Sequence, residues 1–124
     1  SEVALADVLV RNTVINSWAA WCPFCVKELE EFAQLQEFYG DEIAVIAIDR
    51  AESLQKAQEF TDSLGVTDRM TFLLDPRDTF YRDIGGFSMP ETIFVDTDGN
   101  IIFHKRGPMD LGVMKKQIEN VKNR

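Results

Sequence analysis

Hydrophobic and polar positions follow two different periods along this chain, and each period predicts one type of secondary structure. Short apolar runs at 14–18 and 43–48 predict strands, and the second is apolar on both faces, as a central parallel strand covered by helices requires. Apolar positions spaced by three or four residues predict amphipathic helices over 23–39 and 54–64. Each helix is expected to end at the glycine that follows it, in a left-handed cap.

The second half of the chain predicts four shorter elements. In order they are a strand, a helix, a hairpin and a final helix, at 70–74, 76–83, 91–103 and 111–121. We expect Asp75 to be the N-cap of the short helix, with Pro76 in its first turn, and Asp110 to be the N-cap of the final helix. A run of turn-forming residues at 96–100 separates the two strands of the hairpin.

This order of elements predicts an α/β protein. Early alternation of strands and helices followed by a late hairpin implies a central mixed β-sheet flanked by helices, with right-handed crossovers in its parallel part. With 124 residues and no visible linker or repeat, the chain is expected to form a single domain over 1–124. Hydrophobic residues make up 45% of it and charged residues 27%, a balance that argues against disorder.

Charge and hydropathy argue against several classes of partner. The net charge of -8 opposes binding to nucleic acid or to an anionic membrane surface, because phosphate binding depends on clustered Lys and Arg. The longest apolar run, 43–48, is far too short to cross a bilayer. Residues 1–6 have no basic segment followed by an apolar one, so they predict no signal peptide. We therefore expect membrane contact only through a tether that is absent from this sequence.

The chain has two cysteines, and both stand in the segment Trp21-Cys22-Pro23-Phe24-Cys25, between the first strand and the first helix. Sulfurs at positions i and i+3 in the first turn of a helix can form a disulfide, and the helix N-terminus stabilises a thiolate on the first of them. Pro23 suits a first helical position, because its missing N–H costs nothing there. The motif therefore predicts a dithiol redox site.

The segment 16–25, Asn-Ser-Trp-Ala-Ala-Trp-Cys-Pro-Phe-Cys, resembles the active-site signature of thioredoxin-fold proteins, although thioredoxins have a buried aspartate at the position of Asn16. The segment 89–92, Met-Pro-Glu-Thr, resembles the family's second signature, a loop whose proline is cis and lies against the cysteines. The stretch 51–88 looks like the strand-helix insertion of the TlpA, ResA and DsbE branch, whose N-terminal hairpin is not recognisable in 1–12. The resemblance implies an extracytoplasmic, often membrane-tethered, thiol reductant that serves cytochrome c maturation or related pathways.

The two cysteines have different expected roles. Cys22, at the tip of the helix, should be the attacking thiolate, and Cys25, one turn inside, should be more buried and resolve the mixed disulfide. Glu28 is three residues further along, so it can take the proton that Cys25 loses, and partial burial beside Trp21 and Pro90 would raise its pKa toward neutrality. The resemblance supports this role, because the ResA and DsbE branch has a glutamate there; the alternative is a solvated helix glutamate.

Residues around the cysteines are expected to contact the substrate protein. They are Trp21, Pro23, Phe24, Met89, Pro90 and Glu91. Met89 and Pro90 should form the platform on which an extended substrate strand pairs. Trp21 is expected to pack along the rim of the site and Phe24 to be exposed as an apolar contact, whereas Trp18 is expected in the core. Glu91 either lines an acidic groove or is a solvated residue at a strand end.

Three other functions fit parts of the sequence. A copper site would use Cys22, Cys25 and His104, but copper chaperones of this fold have C-x-x-x-C spacing, and His104 is expected to be a surface or edge residue. A peroxiredoxin has a proline and a Thr or Ser ahead of its cysteine, whereas Ala19 stands three residues before Cys22. A non-catalytic binding module is left open, although two intact cysteines argue against it.

The sequence thus predicts a thiol-disulfide oxidoreductase that acts on protein thiols and disulfides, with no cofactor and no metal. The resemblance implies that it is a reductant, that a redox donor protein supplies its electrons, and that it works outside the cytoplasm, in the periplasm or at the cell surface. We expect a monomer. A general thioredoxin-like reductase or an oxidant is the alternative, since Pro-Phe between the cysteines does not fix a reduction potential.

Overall fold

The computed structural model describes residues 11–123. Two expectations fall on residues outside this range. They are the absence of a signal peptide in 1–6 and the absence of a recognisable hairpin in 1–12, of which the structure describes only residues 11 and 12. The elements in chain order are β1 Asn12–Trp18, α1 Pro23–Tyr39, a short 3-10 helix Gly40–Glu42, β2 Ile43–Arg50, α2 Leu54–Leu64, β3 Thr71–Asp75, α3 Thr79–Asp83, β4 Glu91–Val95, β5 Ile101–Arg106 and α4 Leu111–Lys122. Every element that the sequence predicts within the described residues is therefore present.

The strands form one mixed sheet in the order β3-β2-β1-β4-β5. β1, β2 and β3 are parallel to one another, whereas β4 is antiparallel to β1 and β5 is antiparallel to β4. The parallel connections pass through α1 and α2, and the antiparallel pair β4–β5 is the predicted hairpin. The predicted mixed sheet flanked by helices is confirmed, and β3 with α3 is the strand and helix expected within 51–88.

Each face of the sheet has its own apolar core. α1, α2 and α4 cover the face that carries Val14 and Val45, while α3 covers the face that carries Ile15 and Ile46. The first six residues of β2 are all buried, as expected for a strand covered on both faces. Trp18, at the end of β1, is 1% exposed and is a core residue, as predicted. The redox motif therefore follows directly from a strand whose last six residues are all buried.

The short helix α3 begins three residues later than the sequence predicts. Asp75 is the last residue of β3 and Pro76 lies in the turn after it, because β3 pairs with β2 as far as the pair formed by Arg50 and Asp75. The N-cap of α3 is Asp78, so the expected N-cap residue and the expected start of the helix are both wrong. From the end of β3, the Asp75 carboxylate still accepts hydrogen bonds from the N–H groups of Thr79 and Phe80 at 2.9 and 3.0 Å, in the first turn of the helix.

Two glycines end helices in different ways. Gly65, after α2, adopts the predicted left-handed conformation, with φ of 70° and ψ of 28°. Gly40, after α1, has a φ of 56° but a ψ of -130°, which is outside the left-handed helical region, because the chain continues there into the 3-10 turn before β2. Asp110 caps α4 as predicted, and its carboxylate accepts a hydrogen bond from the Val113 N–H at 2.9 Å.

Candidate active site

The two cysteines lie at the junction between β1 and α1. β1 ends at Trp18, and a turn closed by a hydrogen bond from the Cys22 N–H to the Ala19 carbonyl, at 3.1 Å, leads into the helix. Cys22 is the N-cap of α1 and Pro23 is its first residue. Cys22 and Cys25 form a disulfide, and their Cα atoms are 5.3 Å apart. Strand and helix therefore fix both sulfurs at a helix N-terminus, where backbone N–H groups favour negative charge.

Both cysteines are almost fully buried in this oxidised state. Cys25 is 0% exposed and Cys22 is 3% exposed, so the expected order of accessibility holds by a small margin. Next to them in the chain, Trp21 is 59% exposed and Phe24 is 63% exposed. The exposure of Phe24 is as predicted, and it gives the disulfide a rim of large apolar side chains that are open to a partner.

Glu28 lies one turn beyond Cys25 on α1 and is only 2% exposed. Its Oε2 accepts a hydrogen bond from the Met109 N–H at 2.7 Å, and its Oε1 accepts one from Asn16 Nδ2 at 3.4 Å. Burial raises the pKa of Glu28 from 4.5 to about 7; the charge of Glu31 adds to the increase, and the two hydrogen bonds partly oppose it. A carboxyl group that titrates near neutral pH can accept a proton and return it.

The hydrogen-bond partners of Glu28 are residues that the sequence prediction does not name. The sequence predicts partial burial of Glu28 beside Trp21 and Pro90; the structure buries Glu28, leaves Trp21 59% exposed, and supplies hydrogen bonds to the carboxyl from Asn16 and Met109. Asn16 offered a signal, because an amide in the middle of an apolar strand needs a buried partner. Met109 offered none, because it contributes a backbone N–H that no side-chain pattern reveals.

A cleft of about 470 Å³ opens beside Glu28. One wall is the first part of α1, from Pro23 to Glu31, and the other is the segment 108–110 before α4. Phe24 lines this cleft and is also part of the exposed rim. The cleft therefore connects the surroundings of the buried carboxyl with the exposed apolar rim beside the disulfide.

The Met89–Pro90 peptide bond is cis, as the resemblance implies. Met89 packs against the apolar core that contains both cysteines. Two residues after Pro90, the Thr92 Oγ1 accepts a hydrogen bond from Asn16 Nδ2 at 3.1 Å. Asn16 is thus the residue that joins β4, directly after the proline loop, to the carboxyl on α1.

Both alternatives that the sequence left open for Glu91 are wrong. It is 0% exposed, so it is neither a solvated strand-end residue nor a lining residue of an acidic groove. Its Oε2 accepts hydrogen bonds from the N–H groups of Phe87 and Ser88 at 2.6 and 2.8 Å, and its Oε1 lies 2.6 Å from His104 Nε2. Burial would raise the pKa of Glu91, but these hydrogen bonds together lower it. Glu91 therefore ties the loop before Pro90 to β5.

His104 lies on β5, an edge strand of the sheet, as expected. Its side chain is 18% exposed and is engaged with Glu91. Within residues 11–123, no group of three or more His, Cys, Asp or Glu side chains is arranged to hold a metal ion, so Cys22, Cys25 and His104 do not form the alternative copper site. None of the described helices combines the length and the hydrophobicity that a membrane span needs.

Comparison with known proteins places this site in a family. A family model described as Redoxin matches residues 1–122. The chain belongs to the Redoxin family. Among curated relatives, the thiol:disulfide interchange protein DsbE of Allochromatium vinosum is 34% identical over 98% of this chain, and DsbE of Escherichia coli K12 is 29% identical over 92%. These matches cover 66% and 60% of the two relatives, so the chain spans less than two thirds of their length.

Further similarities, one in sequence and two in structure, support the same fold. The thiol-disulfide oxidoreductase ResA of Geobacillus thermodenitrificans is 23% identical over 98% of this chain and 69% of that protein. A Chlorobium tepidum structure assigned to DsbE has a TM-score of 0.87 at 24% identity, covering 96% of this chain and 85% of that one. StoA of Bacillus subtilis has a TM-score of 0.78 at 21% identity, covering 88% and 83%. The resemblance to thioredoxin-fold proteins of the DsbE and ResA type is therefore confirmed.

Proposed function

We propose that this chain is a thiol-disulfide oxidoreductase that exchanges disulfides with protein substrates through Cys22 and Cys25. The observation that carries the proposal is the Cys22–Cys25 disulfide at the N-terminus of α1, with the buried Glu28 one turn beyond it. Further support comes from the relatives, because the similar proteins of A. vinosum and E. coli are named thiol:disulfide interchange proteins.

In the reducing direction the reaction has two thiol-disulfide exchanges. The Cys22 thiolate attacks one sulfur of the substrate disulfide, a Cys22–substrate bond forms, and the first substrate sulfur leaves as a thiolate. Cys25 then loses its proton and attacks Cys22, which releases the second substrate sulfur and forms the Cys22–Cys25 disulfide. Two electrons have then passed to the substrate, and a donor dithiol returns them by the same exchange in reverse.

Glu28 would act in the second exchange. Cys25 is buried, so its proton needs an acceptor inside the protein, and Glu28 lies one turn away on the same helix with a pKa of about 7. The cleft beside Glu28 would let the proton pass on to solvent or to the departing substrate thiolate. This is the role of a general base that becomes a general acid when the direction is reversed.

Exposed apolar side chains would receive the substrate. Trp21 and Phe24 flank the cysteines, and Phe87, before the cis proline, is 76% exposed. Large apolar side chains in solvent are typical of a contact surface, and Met89 and Pro90 would add backbone pairing with an extended segment. Pro23 lines the cleft with Phe24, so it would contact the same segment. Glu91, in contrast, would act from beneath the loop, without touching substrate.

For the pathway, we propose a reductant that works outside the cytoplasm in cytochrome c maturation or a related thiol pathway. The support is the relationship to DsbE and ResA together with the resemblance of the Pro-Glu-Thr loop to the DsbE type. Apocytochromes c present cysteines in C-x-x-C-H, so an extended peptide with that disulfide is the expected substrate class. The partner set would be such substrates and a donor dithiol protein, with the chain acting as a monomer.

Cysteine variants test the exchange itself. Reduced Cys25→Ala should accumulate a mixed disulfide with a peptide that contains one disulfide, because Cys22 attacks and no second thiol resolves the product. Reduced Cys22→Ala should form less than about a hundredth of that adduct at neutral pH, because Cys25 is buried. Equal adduct formation in both variants, measured by mass spectrometry, would refute the assignment of Cys22 as nucleophile.

Two further measurements test direction and substrate class. Equilibration with glutathione should give a reduction potential below about -200 mV, and a value of about -120 mV would identify an oxidant instead. The reduced protein should reduce an oxidised C-x-x-C-H peptide faster than a control peptide of equal length in which basic residues replace the surrounding apolar ones. Equal rates for the two peptides would contradict the proposed apolar recognition surface.

A further inference from the structure

A pair of buried carboxyl groups lies beside the turn that leads into the redox motif. Asp49, near the end of β2, is 1% exposed, and the side chain of Glu52, in the loop before α2, is 5% exposed. Neither carries out a step in the exchange described above. Two carboxyl groups buried side by side cannot both be ionised without a large cost, so they demand an explanation.

Glu52 holds the turn that presents Cys22. Its Oε1 accepts a hydrogen bond from the Ala20 N–H at 2.9 Å. Ala20 is the second residue of the turn that the Cys22 N–H closes onto the Ala19 carbonyl. Two hydrogen bonds therefore fix the turn. One lies within the turn itself, and the other joins it to the carboxylate of Glu52, which lies between β2 and α2.

In the part of the chain that the structure describes, neither carboxyl oxygen of Asp49 accepts a hydrogen bond from an N–H or O–H group. A buried carboxylate without a donor is unfavourable, whereas a protonated one can donate to a neighbouring carboxylate. Burial, with the hydrogen bond and the charge of Glu52, raises the pKa of Asp49 from 3.8 to about 8. Burial acts in the same sense on Glu52, but hydrogen bonds with Asp49, Ala20 and Lys56 together lower its pKa.

The surroundings of the pair contain few other charges. The register partners of Asp49 are Trp18 on β1 and Leu74 on β3, which do not titrate. A cavity of about 250 Å³ adjoins Asp49, and Asp49 is the only acidic or basic residue that lines it among the described residues. Lys56 Nζ, on α2, lies 3.2 Å from Glu52 Oε2. One lysine thus balances one ionised carboxylate, and the second carboxyl group is left to carry the shared proton.

The backbone between the two acids is also constrained. Ala51 has a φ of 52°, a conformation that L residues rarely adopt, and its N–H donates to the Asp75 carbonyl at 2.9 Å. Such a conformation persists only where surrounding contacts hold it. Here it reverses the chain after β2 so that Glu52 reaches Ala20. Asp49 and Glu52 therefore lie at the same edge of the sheet as the cysteines, where the parallel strands β1 and β2 end.

We propose that Asp49 and Glu52 are positioning residues that share one proton, and that this proton keeps Glu52 in place to hold the Ala19–Cys22 turn in its reactive geometry. The inference rests on the proposed function, because it concerns the reactivity of Cys22. Loss of the shared proton leaves two adjacent carboxylates, and their repulsion displaces the Glu52 carboxylate from the Ala20 N–H. The redox site would then lose reactivity on the alkaline side for a reason that lies outside the cysteines and Glu28.

Four variants separate the parts of this arrangement. Asp49→Asn keeps a donor toward Glu52 and cannot ionise. Glu52→Ala removes the acceptor of the Ala20 N–H, while Glu52→Gln keeps a carbonyl acceptor in its place. Glu59→Ala is the matched control, because Glu59 is an exposed glutamate on α2 whose side chain contacts Gln55.

The first readout is the alkylation rate of Cys22 in the reduced protein. At neutral pH, Glu52→Ala should lower this rate about threefold to tenfold, the equivalent of one lost hydrogen bond, and Glu52→Gln should restore it to within about twofold. The ratio of the wild-type rate to the Asp49→Asn rate should be constant below about pH 7 and fall with a midpoint at about pH 8. Taking the ratio removes the titration of the thiol that both proteins share.

The second readout is the Ala20 amide in ¹⁵N NMR spectra of the oxidised protein, in which no thiol titrates. The chemical shift of this amide should titrate at about pH 8 in the wild type and in Glu59→Ala, and be constant in Asp49→Asn. A constant Ala20 shift in the wild type, or a flat rate ratio, would overturn the proposal. Either outcome would leave the exchange activity intact, whereas failure of the proposed function would appear as absent exchange in the wild type at neutral pH.

Discussion

The Met109 N–H donates a hydrogen bond of 2.7 Å to Glu28 Oε2 across a separation of 81 residues. This bond joins the helix that carries the cysteines to the segment before α4, and both walls of the cleft meet there. A backbone donor favours the ionised carboxyl, but the larger effect of burial gives Glu28 a pKa of about 7. The carboxyl is thus held in one place while it remains able to change its protonation state.

Glu28→Gln should slow the closure of the Cys22–Cys25 disulfide by about a hundredfold at neutral pH, the lower end of the contribution of a positioned base. In the wild type the rate should rise with pH through an inflection at about pH 7, because ionised Glu28 accepts the proton of Cys25. The variant should lack that inflection. Stopped-flow tryptophan fluorescence during reaction with a small disulfide would report both rates.

The matched control for this experiment is Glu37→Gln. Glu37 is an exposed glutamate on the same helix that pairs with Arg69, far along α1 from the cysteines. Its replacement should leave the rate and its pH dependence unchanged. A wild-type inflection that survives in Glu28→Gln would show that another group takes the proton.

Glu28 should also make the stability of the folded protein depend on pH. The pKa of Glu28 is about 7 in the folded state, against 4.5 for a glutamate in the unfolded chain, so between these values the folded protein keeps a proton that the unfolded chain has released. The free energy of unfolding should therefore fall as pH rises through this window, by up to about 3 kcal/mol from this group. Urea denaturation of the oxidised protein at about pH 4 and about pH 8 would measure the change.

Comparison of Glu28→Gln with the wild type isolates the contribution of Glu28. Asp49 also makes the free energy of unfolding fall as pH rises, but it does so equally in both proteins. The variant should lose less stability than the wild type between the two pH values and be the more stable protein at the higher one. An equal loss in the two proteins would contradict the assignment of the raised pKa to Glu28.

Much of the fold could be predicted because local patterns and packing agree. The apolar run of β2, the spacing in α1 and the caps of α2 and α4 each point to the element that forms. The start of α3 could not be predicted from Asp75 and Pro76, because the length of β3 is set by its pairing with β2, which is a tertiary contact.

The site was predictable to the same degree. Cys22, Cys25 and the position of Glu28 follow from spacing along one helix, and the cis Met89–Pro90 bond follows from the family resemblance. The partners of the buried acids could not be predicted in that way. Met109, for example, acts through its backbone, and its approach to Glu28 depends on how α4 packs.

Glu91→Ala should destabilise the protein by about 2–4 kcal/mol. Truncation would leave the N–H groups of Phe87 and Ser88 without their acceptor and His104 without its partner, all beneath the loop that leads to Pro90. Thermal or urea unfolding would measure the loss. Glu59→Ala, an exposed change, should stay within about 0.5 kcal/mol of the wild type. A similarly small effect of Glu91→Ala would contradict the structural role given to this carboxylate.

Phe24→Ala should weaken substrate binding without affecting stability. Phe24 is 63% exposed beside the disulfide, so little apolar surface is lost from the core, whereas an aromatic side chain at a contact surface contributes about 1–2 kcal/mol to binding. The KM for a protein disulfide should rise about fivefold to thirtyfold. Phe38→Ala is the control, because Phe38 is 64% exposed on the same helix but far from the cysteines. Equal effects of the two changes would refute a substrate surface at Phe24.

Asn16→Asp should raise the apparent pKa of Glu28 further. The amide nitrogen of Asn16 is 3.4 Å from Glu28 Oε1, so the substitution replaces a donor with a second buried carboxyl group. The two acids would share one proton, and the pair should titrate at least about one pH unit above the value for Glu28 alone. ¹³C NMR of the carboxyl carbons in the oxidised protein would follow the titration. Asn16→Leu, which removes the donor without adding a charge, should move it much less, and identical shifts in the two variants would show that the donor alone, and not the added charge, sets the titration of Glu28.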